Sequence, residues 1–192
     1  MSSEDKVRCD WCGNDAQYIR YHDEEWGVPV RDDHKMFEML LLETFQAGLS
    51  WITILRKREN FRARFKDFDV ELVAKMTDPE LEEALKDAGI IRNRLKVFAA
   101  RSNAQAFIEV AQEFGSFSKC LWSFVDDKPV QNHWQRIKDV PASTPLSDEI
   151  SKALKKRGFK FVGSTIVYAH LQAAGLVNDH LESCFRHAEV GV

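Results

Sequence analysis

Ser151-Lys152-Ala153-Leu154-Lys155-Lys156-Arg157-Gly158-Phe159-Lys160-Phe161-Val162-Gly163-Ser164-Thr165 is the stretch on which the reading of the fold turns. A basic helix ends at Gly158, a tight apolar turn follows, and a new helix opens at Ser164 and Thr165. That is the outline of a helix-hairpin-helix, centred on residues 148–175. Glycine at the turn lets the backbone come close to a phosphate, and the free N–H groups of the following helix N-terminus can donate to it. The lysines add attraction that does not depend on base sequence. Ordinary αα-hairpins share a glycine turn and exposed lysines, so the rest of the chain has to decide between the two readings.

Outward from the hairpin, apolar residues recur at helical spacing, as in Phe37, Leu40, Leu41 and Phe45, or Ile54, Leu55, Phe61 and Phe65. Strict alternation over strand length is missing, so the fold class is all-α. Thr77-Asp78-Pro79-Glu80 offers a capping box, and Gly89, Gly115, Gly158 and Gly175 each follow a helical stretch as C-terminal caps would. Asp126 to Ser147, with Pro129, Pro141 and Pro145, is the longest connection. There is no internal repeat, and the chain reads as one domain over residues 1–192.

Composition narrows the function classes. Four cysteines, Cys9, Cys12, Cys120 and Cys184, are too sparse and scattered for a small secreted disulfide scaffold. Burial or metal binding in a reducing compartment remains for them. Met1 to Arg8 carry no apolar leader, and the longest apolar run, Met39 to Leu42, is far too short to span a bilayer, so a cytoplasmic protein without membrane attachment is expected. A net charge of −3 argues against coating DNA through bulk charge but leaves local footprints open. Basic residues gather at Arg56, Lys57, Arg58, Arg62 and Arg64, at Arg92, Arg94 and Lys96, and at Lys152 to Lys160, either as solvated helix faces or as such footprints.

Two further constellations carry chemistry. His180 and Cys184 lie four apart, which on a helix puts both on one face, and Cys9 and His22 would complete a Cys2His2 set tying the first residues to the last. Cys9 and Cys12 also form a C-x2-C that could supply two ligands by itself. Four protein ligands would make the metal structural, because no position stays open for water. Separately, Trp11, Tyr18, Tyr21, Trp26 and Trp51 crowd the first quarter of the chain, with Glu43 in the apolar run Leu40 to Phe45. Aromatic faces with one carboxylate suit a flat, cationic base: the rings stack and attract positive charge, and the carboxylate accepts from exocyclic N–H groups. An aromatic core with a surface Glu is the plain alternative.

Four motifs, in order, resemble the 3-methyladenine DNA glycosylase I family: Tyr21-His22-Asp23-Glu24-Glu25-Trp26-Gly27-Val28-Pro29, Gln46-Ala47-Gly48-Leu49-Ser50-Trp51-Ile52, Lys152 to Gly163, and Leu176-Val177-Asn178-Asp179-His180. The resemblance implies a helix-hairpin-helix DNA glycosylase fold whose N- and C-terminal segments are joined by a structural zinc on Cys9, His22, His180 and Cys184, with Cys12 a spectator. It implies a base pocket of Trp11, Tyr18, Tyr21, Trp26, Glu43 and Trp51. Glu43 and Tyr21 would bond the extruded base, Trp51 would stack on it, and Glu43 is the candidate catalytic group. DNA contacts would come from Gln46, Gly48 and Leu49, which with Ala47 fill the space vacated in the duplex, and from Lys156, Gly163, Ser164 and Thr165 of the hairpin.

Implied too is a monofunctional enzyme, acting as a monomer on double-stranded alkylated DNA and releasing 3-methyladenine, with 3-methylguanine a second candidate. Related glycosylases carry a catalytic aspartate where this chain has Asn178, an absence the 3-methyladenine branch shares. Thr44 also departs from the family pattern, which has a smaller residue after the pocket glutamate. Rival readings are a zinc-stapled module that senses damage without excising it, and a zinc hydrolase, which would need an open metal position.

Overall fold

The protein is described by a computed structural model covering residues 6–46 and 48–190. Residues 1–5, 47 and 191–192 lie outside that description, Ala47 of the expected duplex-filling loop among them. In chain order the helices are α1 (Ala16–Glu24), α2 (Asp33–Gln46), α3 (Trp51–Arg64), α4 (Val70–Ala74), α5 (Asp78–Ala84), α6 (Arg94–Phe114) and α7 (Phe117–Ser123). After the long connection come α8 (Pro145–Lys156), α9 (Ser164–Ala173) and α10 (Phe185–Val190). The all-α reading needs one amendment. Strand β1 (Val130–Gln131) pairs in parallel with β2 (Val177–Asn178), Val130 opposite Val177. Two residues are too few to show alternation, so the pair leaves no pattern to read.

Helix α2 is the axis of the molecule. Every residue from Met36 to Phe45 is buried, because α3, α6, α7 and α9 enclose it. Phe37 meets Phe107 of α6 edge-on at 5.3 Å, and Phe45 meets Phe61 of α3 at 4.7 Å. Its ends are tied by charge. The Asp33 carboxylate accepts from the backbone N–H groups of Phe117 and Ser118, and Lys96 Nζ donates to the Phe45 carbonyl at 3.1 Å. Each tie sets a charge against the helix end whose partial charge it complements.

The predicted capping box at Thr77 forms, with Thr77 and Glu80 bonding reciprocally, a device of about 1 kcal/mol. Gly115, Gly158 and Gly175 take the left-handed backbone expected of helix ends. Gly89 does not. A Cβ there would lie 2.6 Å from Asn60 Cγ, so close approach of α3 explains that glycine, and no cap is involved.

The hairpin forms where expected, α8 and α9 flanking a turn whose Phe159 and Val162 point inward. Asn103 of α6 clamps it, donating to the Lys160 carbonyl at 3.0 Å and accepting from the Lys160 N–H at 2.8 Å. Ser151 Oγ donates to the Val162 carbonyl at 2.7 Å. The basic run of α3 has a different fate. Arg56 pairs with Asp15, Arg58 with Glu25 and Glu38, Arg62 with Glu38 and Asp67, and Arg64 with Asp87. That charge is spent inside the fold.

Candidate active site and metal centre

Cys9, His22, His180 and Cys184 converge, all buried, with their ligand atoms within 4.8 Å of one another. Cys9 Sγ lies 3.6 Å from His180 Nδ1, while Cys184 Sγ is 3.5 Å from both His180 Nδ1 and His22 Nε2. Each imidazole points its other nitrogen at an acceptor: His22 Nδ1 at Asp23 Oδ1, 2.8 Å, and His180 Nε2 at the Trp26 carbonyl, 3.0 Å. Those bonds leave the inward nitrogens bare, which is the tautomer a metal requires. The Cys184 thiol is pulled far below its ordinary pKa, first of all by its hydrogen bond with Cys9. The cluster can hold a metal ion.

His180 and Cys184 do not sit on a helix, contrary to their spacing. They occupy the turns between β2 and α10, where the Cys184 N–H donates to the Leu181 carbonyl at 2.8 Å. A turn wrapped about one point brings residues four apart together as a helical face does. Gly27 makes room for them: a Cβ there, at φ +81°, would stand 2.9 Å from His180 Nε2. Cys12 stays out of the cluster and donates to the Cys9 carbonyl.

Against this cluster stands a cavity of about 170 Å³. All six predicted pocket residues line it: Trp11, Tyr18, Tyr21, Trp26, Glu43 and Trp51, with Gln46. Trp11 packs on Tyr18 at 4.8 Å and on Trp26 at 5.0 Å, Tyr21 on Trp51 at 5.6 Å, and Trp26 edge-on to His180 at 4.6 Å. The metal cluster therefore backs the aromatic wall. The cavity is smaller than the ~300–1,000 Å³ typical of drug-sized ligands and suits one flat base.

Two polar atoms in this wall lack a partner among the described residues, Glu43 Oε2 and Trp51 Nε1, one an acceptor and one a donor. Buried groups of that kind cost about 1–3 kcal/mol each, and a ligand that bonds them recovers it. Burial pushes the Glu43 carboxyl up to about 8. Tyr21 is pushed well above its ordinary value by burial and by Glu43, and Tyr18 to about 12 by burial. Glu38, on another face of α2 and equally buried, behaves oppositely. Burial works against its charge too, but Arg58 and Lys35 hold its carboxyl below the usual value. Thr44 turns from the cavity and donates to the Leu41 carbonyl, so it does not narrow the pocket.

Sequence reasoning missed the rest of the lining. Ile137 and Val140 of the long connection, Ala169 and Gln172 of α9, and Asp179 complete the cavity. Asn178 holds the loop, donating to Gln131 Oε1 and to the His187 carbonyl. Its neighbour Asp179 is the residue that faces the pocket.

On the surface beside the cavity, Gly48, at φ +80°, and the exposed Leu49 form the turn between α2 and α3. In the hairpin, Gly163 caps α9 without a side-chain bond, and a Cβ there would meet nothing within 4 Å. Thr165 and Lys156 are exposed; Ser164 is half-buried, with its hydroxyl 2.7 Å from that of Ser147. Arg157 is engaged with Glu113 at 2.9 Å, whereas among the described residues Lys155, Lys156 and Lys160 have no ion-pair partner.

A family model described as methyladenine glycosylase matches residues 11–187. DNA-3-methyladenine glycosylase 1 of Escherichia coli (strain K12) is 52% identical over 177 residues, 92% of this chain and 95% of that protein. A crystal structure of 3-methyladenine DNA glycosylase I superposes with a TM-score of 0.90 at 53% identity, covering 93% of this chain and 98% of the other. So does a structure addressing 3-methyladenine recognition by the Staphylococcus aureus enzyme, TM-score 0.90 at 39% identity, covering 93% and 95%. Sequence and backbone agree over more than nine-tenths of the molecule, and the chain belongs to the methyladenine glycosylase family.

Proposed function

We propose that this protein, as a single domain over residues 1–192, hydrolyses the N-glycosidic bond of 3-methyladenine in double-stranded alkylated DNA and so initiates base excision repair. The observation that carries this reading is the aromatic cavity with an unpartnered acid, Glu43, and an unpartnered donor, Trp51 Nε1. Methylation at N3 gives the base a positive charge, so the C–N bond breaks with its electron pair leaving on a base that becomes neutral. Water adds to the anomeric carbon and loses its proton to solvent. Such a leaving group needs little general-acid help, and most of the task is extruding and recognising the right base, where unstacking costs a few kcal/mol. A bound cation favours Glu43 as carboxylate, which accepts from the exocyclic N–H and supports the oxocarbenium-like state. Tyr21 joins Glu43 in bonding the base, and Trp51 stacks on it.

Zinc fits the metal cluster. With bonds of about 2.3 Å to sulfur and about 2.0–2.1 Å to nitrogen at tetrahedral angles, sulfur and nitrogen ligands stand ~3.5–3.6 Å apart. Three of the four sulfur–nitrogen separations are 3.5–3.6 Å, and all four ligand atoms lie within 4.8 Å of one another. Zinc there is structural, since Cys9, His22, His180 and Cys184 fill its coordination. On the DNA, Leu49 with Gln46 and Gly48 fills the space left by the extruded base, and Lys156, Gly163, Ser164 and Thr165 hold the backbone. The enzyme acts as a cytoplasmic monomer; among the described residues no helix is long and apolar enough to cross a membrane.

The test is single-turnover release of bases from methylated DNA beside titrations with undamaged duplex and free 3-methyladenine. Glu43→Gln keeps duplex affinity, loses affinity for the free base and slows excision, and Trp51→Ala fails similarly through lost stacking. Unchanged excision in Glu43→Gln refutes the pocket assignment. A wild-type protein that binds DNA yet releases no base favours the non-catalytic sensor.

A further inference from the structure

Asp179 is a second carboxylate on the wall of the same cavity, and its surroundings are the reverse of those of Glu43. It is 2% exposed. Four donors converge on it: Asn132 Nδ2 at 2.7 Å and Trp134 Nε1 at 2.8 Å on one oxygen, the Tyr168 hydroxyl and Gln172 Nε2, at 2.8 Å, on the other. Amide N–H and indole N–H can only donate, so the group they fit is a carboxylate and not a carboxylic acid. All four are neutral, and among the described residues no lysine, arginine or histidine lies within ion-pair distance of it. The negative charge is solvated by oriented dipoles but left uncancelled, where the low local dielectric extends its field across the cavity.

We infer that Asp179 is the fixed negative charge by which the pocket distinguishes a cationic base from a neutral one. This rests on the base-pocket reading above and divides its tasks. Glu43, lacking a partner, responds to the ligand, whereas Asp179 is charged before the ligand arrives. Most bases in DNA are neutral; N3-methylated purine nucleosides are cations. A permanent charge on the cavity wall lowers the energy of the cation alone. The same four bonds tie the long connection, through Asn132 and Trp134, to α9 through Tyr168 and Gln172, so Asp179 also holds the wall that carries Ile137 and Val140.

The experiment measures two small ligands by calorimetric titration, neutral 3-methyladenine and the permanent cation 3,9-dimethyladeninium, and reads the ratio of their affinities. Asp179→Asn removes the charge. Gln172→Lys cancels it with an ammonium in place of an amide already in contact, which keeps the test alive should Asp179→Asn fail to fold. Tyr168→Phe loosens the network but leaves the charge. Both charge-altering variants lower the cation-to-neutral ratio, by about tenfold for a charge of this burial, while Tyr168→Phe keeps the wild-type ratio. A ratio that survives Gln172→Lys, or moves as far in Tyr168→Phe, overturns the inference and leaves the pocket standing. Wild-type protein that binds neither ligand overturns both.

Discussion

Glu38 and Glu43 make the comparison from which residue-scale behaviour follows. Both are 3% exposed on α2, but Glu38 is met by Arg58, Arg62 and Lys35, and Glu43 by no hydrogen-bonding or charged partner among the described residues. At about 8, the Glu43 carboxyl in the folded protein sits above its ordinary 4.5, so the native state keeps a proton that the unfolded chain has released. The contribution of Glu43 to stability is therefore fullest below about pH 4.5, falls as pH rises from there to about 8, and is level beyond. Glu43→Gln cannot titrate. Its unfolding free energy gains on wild type across that window, by on the order of 1–3 kcal/mol at neutral pH, while its excision rate falls. A pH-independent difference in unfolding would show that Glu43 is solvated or partnered in the free protein. Glu43 was legible as a carboxylate inside an apolar run, yet Glu38 stands in the same kind of run. What separates them is which partners α3 brings, and no local pattern encodes that. Asp179 was illegible for the same reason, its four donors coming from the long connection and α9.

Elements were easier to read than their contacts. The capping box at Thr77 and the basic helix, turn and helix around Gly158 are local chemistry, set by neighbours in sequence, and they form where predicted. The four-residue spacing of His180 and Cys184 misled as to the element while indicating the right neighbours, because convergence on a point does not require a helix. The hairpin also yields the sharpest surface test. Gly163 has φ −62° and open space where a Cβ would go, so Gly163→Asp leaves the fold intact and places a carboxylate at an uncapped helix N-terminus. Duplex affinity should drop by roughly tenfold or more with the melting temperature unchanged, and Lys156→Ala should reduce the slope of log affinity against log salt by about one. Full affinity in Gly163→Asp would move the anchor elsewhere. Variants of Arg58 or Arg62 instead should lower stability, since those charges neutralise Glu38.

At the scale of the molecule, the Cys–His cluster, the aromatic wall and the cavity are one construction: His22 and His180 pack on Trp26, Trp26 packs on Trp11, and both tryptophans line the cavity. We expect purified protein to hold one zinc per chain. Stripping it, or Cys184→Ser, should cost on the order of several kcal/mol of stability, perturb tryptophan fluorescence, and weaken free-base binding more than duplex binding, because the cluster packs on the tryptophans that line the cavity and no hairpin residue belongs to it. Retention of full zinc and stability in Cys184→Ser would sink the assignment. The seam these ligands close joins Cys9 to Cys184, with the Phe185 N–H donating to the Val7 carbonyl alongside. Synthesis runs from one end to the other, at about 5–20 residues each second. Cys9, His22 and the tryptophans beside them are made more than 150 residues before His180 and Cys184, so the back wall of the pocket is completed only once residue 184 has been added. Nascent chains can gather the helical core around α2 in the meantime, but a ribosome stalled short of residue 184 carries a folding intermediate without a finished place for a base.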